Sequence, residues 1–197
     1  MTLSQLRAHI AVQMQSLGFR LVSKSGGETF VRESVESLCG VVRAQCTSFG
    51  GVSWMLTIQA SLSSEKFDEL YRRLYCDHEV KFSPLAWLPM DDRGGESLGV
   101  FPVQLTAEGA ELSMAFKQQL VQFVEGVILP WTRETCSLED ALRVTETHGR
   151  YDQIPVAKML LGESPELVRA WATKSIPSHH LERDNILARL SAFGGNR

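Results

Sequence analysis

Residues 52–62, VSWMLTIQASL, carry the pattern that decides the fold. Every second position is apolar, and the apolar set is Val52, Trp54, Leu56, Ile58, Ala60 and Leu62. Successive side chains of a β-strand point to opposite faces of its sheet, so this alternation predicts a strand with one buried face. We expect Trp54 to lie in the core because its alternation partners are apolar.

Three further strands are expected before this one. Residues 38–47 are rich in strand formers and are separated from it by a segment that contains Gly50 and Gly51. Residues 19–24 and 28–33 flank a second glycine-rich turn. Glycine permits the tight reversals that join antiparallel strands. The N-terminal part of the chain therefore predicts an antiparallel sheet of about four strands.

Two amphipathic segments are expected to cover this sheet as helices. Residues 3–17 and 64–75 have apolar side chains at every third or fourth position. That spacing places the apolar side chains on one helical face. Thr2 and Gln5 can form a capping box at the start of the first helix, and Gly18 is a natural stop at its end.

The middle of the chain is less regular. Residues 76–105 are interrupted by three prolines and a glycine pair, and they predict a long irregular connection. A helix is expected next, over about residues 106–129. Pro130 should end it, because proline has no N–H to donate within a helix.

The remainder predicts short helices. Ser137 and Asp140 resemble a capping box that opens the first of them. The fold class predicted is α+β, with an antiparallel sheet packed with helices and followed by a helical C-terminal third. We expect a core domain over residues 1–130 and a helical segment over residues 131–197 that packs on it.

The composition is that of an ordinary folded protein. Of 197 residues, 44% are hydrophobic and 22% are charged, close to the average for globular domains. The 20 basic residues are fewer than the 23 acidic ones and are spread along the chain, which argues against nucleic-acid binding.

The four cysteines form no Cys-x-x-Cys pair, and no segment has the pattern of a secretion signal or a membrane-spanning helix. We expect a cytoplasmic protein that binds neither nucleic acid nor membrane.

Three clusters of polar residues could carry chemistry, and each has a simpler interpretation. The first cluster is His179, His180, Glu182 and Asp184. It could bind a metal ion, but the zincin spacing is absent and a solvated helix N-terminus explains it. Residues 76–79 combine a thiol, an imidazole and two carboxylates, yet sequence neighbours rarely converge on one substrate atom. Residues 91–96 match neither a calcium loop nor a phosphate loop. The sequence predicts no catalytic residue, no metal site and no cofactor.

The irregular connection is where a partner is expected to bind. Aromatic and arginine side chains often anchor protein interfaces. Trp87 lies in this connection among apolar neighbours, and charged residues follow it. The residues predicted to bind a partner are Phe82, Trp87, Asp91, Asp92 and Arg93.

Several short features carry a family resemblance. They are a leading amphipathic helix, residues 17–19 (LGF), a glycine turn and residues 30–32 (FVR), followed by two long strands and a helix. With these features, residues 1–130 resemble a group of uncharacterised bacterial cytosolic proteins classed as a domain of unknown function. Some members resemble companions of bacterial toxins, which implies an immunity protein that neutralises a toxin by occluding it. The resemblance transfers no catalytic residue.

The favoured hypothesis is a non-enzymatic cytosolic protein that binds another protein. Two alternatives stay open. An enzyme of unfamiliar type would bring together scattered residues such as His78, Asp91, Asp92 and His148. A deep pocket with convergent polar groups would favour that alternative. An oligomeric scaffold or secretion adaptor would instead show a large apolar patch on the C-terminal helices.

Overall fold

A computed structural model describes residues 1–23, 28–33, 38–49, 53–75, 84–88 and 99–194. These residues form helices and an antiparallel sheet, and the C-terminal region is helical. The predicted α+β class is confirmed.

The strands follow each other in the sheet almost as they do in the sequence. They are β1 (Arg20–Ser23), β2 (Glu28–Glu33), β3 (Cys39–Phe49), β4 (Ser53–Ser63), β5 (Ala86–Trp87) and β6 (Val100–Pro102). The order is β1-β2-β3-β4-β5, and β6 also pairs with β4. The first four strands were predicted. The last two come from the irregular connection, where runs of two and three residues are too short to show alternation.

Among the described residues, one helix precedes the strands, one lies between β4 and β5, and the others follow β6. The helices are α1 (Leu3–Ser16), α2 (Glu65–Tyr75), α3 (Met114–Phe123), α4 (Leu129–Glu134), α5 (Leu138–Thr147), α6 (Ile154–Leu160), α7 (Pro165–Ser175) and α8 (Arg183–Gly194). None of the described helices is both long enough and apolar enough to cross a bilayer.

The N-terminal hairpin sets the register of the sheet. Phe30 in β2 pairs with Leu21 in β1 and with Val42 in β3, and its side chain is fully buried. Alternation then places Glu28 and Arg32 on the same face as Phe30. Helix α1 packs on β1 and β2 with its buried stripe of Leu6, Ile10 and Met14.

The ends of α1 are fixed by local chemistry. The Thr2 side chain accepts a hydrogen bond from the Gln5 backbone, and the Gln5 side chain accepts one from the Thr2 backbone. Gly18 adopts φ +83°, a left-handed conformation that suits glycine. Both predictions about this helix are confirmed.

Strand β4 keeps the predicted alternation over most of its length. Leu56, Ile58, Ala60 and Leu62 are buried. Trp54 is half-buried, so the prediction that it lies in the core is wrong. Its large side chain lies at the second residue of the strand, and tryptophan is seldom buried completely.

The predicted helix over residues 106–129 starts later. Leu105 forms a β-bridge with Leu112, and Gly109 turns the intervening chain with φ +66°. Ser113 then caps α3 by accepting a hydrogen bond from the Phe116 backbone. Local turn chemistry therefore overrides helical propensity in this segment.

The predicted end of this helix at Pro130 is wrong. A π-helical turn at Val124–Ile128 joins α3 to α4, and Pro130 lies within α4. Proline removes one backbone donor and crowds the preceding turn. π-Helical turns are rare and occur mostly as single turns inside α-helices, and this one directly precedes the turn that contains Pro130.

The described residues group into two compact units. The first contains Met1–Ser34, Cys39–Ser61 and Leu88–Glu134. The second contains Val35–Leu38, Leu62–Trp87 and Thr135–Arg197. The boundary predicted between residues 130 and 131 stays a prediction.

In the second unit, α2 packs against α6 and α8. The hydroxyl of Tyr75 donates a 2.6 Å hydrogen bond to the Asp152 carbonyl, and that of Tyr71 lies 3.3 Å from an Asp152 carboxylate oxygen. The apolar stripe of α2 was expected to cover the sheet. An amphipathic pattern shows that one face is buried but does not identify what covers it.

Gly99 occupies a position in the first unit that no other residue fits. Its φ is +52°, and an added Cβ would lie 2.8 Å from Phe123 Cε1 and 2.9 Å from the Ile58 carbonyl oxygen. We expect Gly99→Ala to lower the free energy of unfolding by about 2–4 kcal/mol, through backbone strain and overpacking together. Urea unfolding measures this loss.

Gly109 supplies the matched control. Its φ is +66°, but an added Cβ would meet nothing within 4 Å. The loss of free energy of unfolding caused by Gly109→Ala should therefore come from the backbone conformation alone. Equal losses for the two variants would contradict the steric explanation of Gly99.

Candidate functional site

Trp87 belongs to the predicted partner site and lies in the described chain. It is part of β5 and is half-buried. Phe82, Asp91, Asp92 and Arg93 lie outside the described residues. The predicted partner site therefore stays a prediction.

Two histidines of the described chain, His148 and His180, make local contacts. His148 is exposed, and its Nδ1 lies 2.7 Å from the Val144 carbonyl oxygen within the same helix, so this nitrogen carries the proton. The His180 ring packs edge-on against Tyr151, with 4.8 Å between ring centres. His179 and His180 lie just before α8, which begins at Arg183.

The structure gives no geometry for the other two predicted clusters. His78 and residues 76–79 lie outside the described residues, as do Asp91 and Asp92. Within the described chain, no group of three or more His, Cys, Asp or Glu side chains is placed to hold a metal ion.

A groove lies between α1 and the β1–β2 hairpin, and we name it the α1 groove. It has a volume of about 440 Å³. Its lining residues are Leu3, Ser4, Arg7, Ala8, Ala11, Leu21 and Glu28. All of them belong to the first unit.

The sequence explains why these side chains meet. Leu3, Arg7 and Ala11 are spaced by four residues, so they form one row along α1 beside its buried stripe. Leu21 and Glu28 come from the hairpin on which α1 packs. Alanine at two helix positions leaves the space that the groove occupies.

A charged pair lies in the groove. The Nε of Arg7 lies 3.3 Å from Oε1 of Glu28. The Arg7 side chain is 34% exposed, whereas the Glu28 side chain is 4% exposed. Nε makes no hydrogen bond of good geometry, so the contact is an ion pair dominated by Coulombic attraction. The carboxylate is thus buried, and the guanidinium is the member of the pair that faces outward.

Cys46 in β3 completes this polar cluster. The pKa of its thiol is raised to about 11, mainly by burial and in smaller part by the Glu28 carboxylate, while Arg7 acts in the opposite direction. The thiolate is the nucleophilic form of cysteine. Cys46 is therefore a protonated, structural thiol at neutral pH.

The residues of the family resemblance also have a structural role. The Arg32 guanidinium lies over the Phe19 ring, 6.0 Å from its centre. A Cβ added at Gly18 would lie 3.7 Å from Arg32 Nε. The glycine, the aromatic ring and the arginine thus form one contact at the base of the hairpin.

The second unit has a groove between α7 and α8, with a volume of about 410 Å³. It is lined by Pro165, Glu166, Arg169, Ala170, Thr173, Leu190 and Ser191. The charged side chains next to Trp171 of α7 form structural contacts. Lys158 Nζ lies 3.2 Å from Oε1 of Glu146 and 3.4 Å from Oε1 of Glu163, and it lies over the Trp171 ring.

The sequence did not predict the α1 groove, although it contained a signal. Alternation in β2 places Glu28 on the same face as the buried Phe30, which makes it a charge at an inward position. Buried charges are generally paired. Arg7 flanks the buried stripe of the covering helix and was the natural partner to seek.

Comparison with known proteins finds no matching family model, no similar curated protein and no similar solved structure.

The ion pair can be tested by a double-mutant cycle. Arg7→Met leaves the Glu28 carboxylate buried without its cation and should lower the free energy of unfolding by about 2 kcal/mol. Glu28→Gln should lower the free energy of unfolding by less than Arg7→Met does, because a neutral amide needs no counter-charge. The double variant should recover most of the loss, and urea unfolding of all four proteins gives the coupling energy. Additive losses would contradict a direct Arg7–Glu28 interaction.

Cys46 predicts a pH dependence. Its pKa is about 11 in the folded protein against 9.0 for an ordinary thiol. Above pH 9 the Cys46 thiol binds fewer protons in the unfolded state than in the folded state. The contribution of this thiol to the free energy of unfolding is therefore present below pH 9 and is lost towards pH 11. We expect the free energy of unfolding of the wild type, minus that of Cys46→Ala, to fall over this range. A flat or rising difference would show that the thiol is not buried.

Proposed function

We propose that this chain is a non-enzymatic binding protein that receives another protein in the α1 groove. The observation that supports this proposal is the groove itself. It is concave, most of its lining is apolar or small, and one charged side chain faces outward. Binding sites typically combine an apolar surface with a few placed polar groups. Arginine is enriched among the residues that dominate binding energy.

Reactive side chains in the described chain favour binding over catalysis. Cys46 is held protonated next to the groove. Tyr75 donates to a backbone carbonyl, and burial raises the pKa of its hydroxyl. His148 is bonded to its own helix. The Tyr75 hydroxyl and the His148 ring thus each have a structural partner that competes with a role in proton transfer, and the Cys46 thiol is not in its nucleophilic form at neutral pH.

The finer proposal is an immunity protein of the cytoplasm. It rests on the resemblance of residues 1–130 to a group of uncharacterised bacterial proteins, some members of which resemble companions of bacterial toxins. In this form of the proposal, the partner is a toxin and the complex blocks the toxin's active site. The groove would then be the part of the immunity protein that holds the toxin.

A pair of helix variants tests the proposed function. Ala8 is exposed and lines the groove, so Ala8→Trp should fill the groove without disturbing the core. His9 is the next residue, and a step of one residue turns its side chain about 100° around the helix, away from the groove lining. His9→Trp adds the same ring to the same helix outside the groove. Circular dichroism confirms that both variants fold.

The assay is affinity capture from an extract of the source cells, followed by binding measurements with the purified partner. We expect the wild type and His9→Trp to bind one partner with equal affinity and Ala8→Trp to bind at least about tenfold more weakly. For the immunity proposal, the partner should be a toxin that loses activity at a one-to-one ratio. No partner, or equal binding by Ala8→Trp, would contradict binding through the groove.

A further inference from the structure

We propose that the α1 groove selects a partner segment with an acidic side chain beside an aliphatic one, and that Arg7 binds the carboxylate. This inference rests on the proposed function and specifies the chemistry that the groove recognises. The occupant is a protein segment whose Asp or Glu reaches Arg7 while its apolar neighbour enters the groove.

The two members of the ion pair differ in exposure, so a partner in the groove meets the positive charge of Arg7 and not the negative charge of Glu28. Glu28 is almost completely buried, whereas one third of the Arg7 side chain is open and lines the groove. A guanidinium has five N–H donors in one plane. Glu28 approaches Nε, and in the described chain the Arg7 side chain makes no hydrogen bond and no other ion pair. The terminal nitrogens are therefore the donors that a partner can reach.

The start of α1 adds positive potential at the same place. Leu3 and Ser4 belong to the first turn of the helix and line the groove. The N-terminus of a helix carries partial positive charge, which acidic side chains usually offset. The first turn of α1 contains no acidic residue. Arg7 and the helix terminus therefore both favour an anion.

The rest of the lining suits an aliphatic side chain. Leu3 and Leu21 supply apolar walls, and Ala8 and Ala11 leave room between them. A carboxylate alone would leave this surface in water. An acidic residue next to leucine or a similar side chain would use both parts of the groove.

Glu28 acts as a positioning residue in this scheme. It holds the guanidinium from the buried side, which leaves the open side free for a second carboxylate. Arginine binds carboxylates through two parallel N–H donors, which a lysine ammonium cannot do. Arg7→Lys should therefore weaken recognition even though it keeps the charge.

Two small probes test the selectivity on the full chain. They are N-acetyl-leucyl-glutamate amide and N-acetyl-leucyl-glutamine amide, which differ in charge and hardly in shape. In ¹H–¹⁵N spectra, up to about 20 mM of the glutamate probe should cause saturable shifts at Leu3, Ser4, Arg7 and Ala8. The glutamine probe should bind at least about fivefold more weakly, because it forms no charge-assisted hydrogen bond.

The variants must remove Arg7 without leaving Glu28 as an unpaired buried charge. Arg7→Gln/Glu28→Gln keeps a neutral polar pair and should abolish the preference for the glutamate probe. Arg7→Lys should reduce the preference, and His9→Trp should keep it. Equal binding of the two probes, retention of the preference in the double variant, or no saturable shifts in the groove would overturn the inference.

The two proposals can fail separately. A partner that is lost with Ala8→Trp but bound normally by Arg7→Gln/Glu28→Gln would overturn the carboxylate inference and leave the proposed function in place. A preference for the glutamate probe without any protein partner would overturn the proposed function, while the chemistry of the groove would stand.

Discussion

A carboxylate in a protein interior needs a nearby positive charge, and the N-terminal unit is arranged around this constraint. Glu28 begins β2 on the same face as the buried Phe30, under helix α1. Burying an isolated charge is costly, whereas a charge with a partner is tolerated. Arg7 supplies the partner from the helix. The pair therefore ties the position of α1 to the register of the hairpin.

The same constraint shapes the surface. Arg7 reaches Glu28 from the flank of α1, next to the alanines that line the groove. The buried partner fixes one side of the guanidinium and leaves the other side accessible. Cys46 is buried and under the electrostatic influence of the same carboxylate, so its thiol stays protonated at neutral pH. A stabilising contact and the proposed recognition surface thus share one pair of charges, and this is why we propose a binding function.

Features set by neighbouring residues were predictable from the sequence. The capping residue Thr2, the stop at Gly18 and the alternation of β4 depend on local chemistry, and the structure shows all three. Features set by distant residues were not. Pro130 was expected to end a helix, but a π-helical turn accommodates it. The Arg7–Glu28 contact joins residues 21 positions apart, and the alternation of β2 marks Glu28 as an inward charge without identifying its partner.

The most direct test of the central claim is the solvent-exchange rate of the Arg7 Nε–H proton, measured by ¹⁵N-resolved spectroscopy at neutral pH. Nε is buried beside the Glu28 carboxylate, so exchange should be slower than for the exposed arginines. Replacing Glu28 by glutamine should release the side chain and speed the exchange. An exchange rate equal to that of exposed arginines, or one unchanged by the substitution, would show that Glu28 does not hold Arg7.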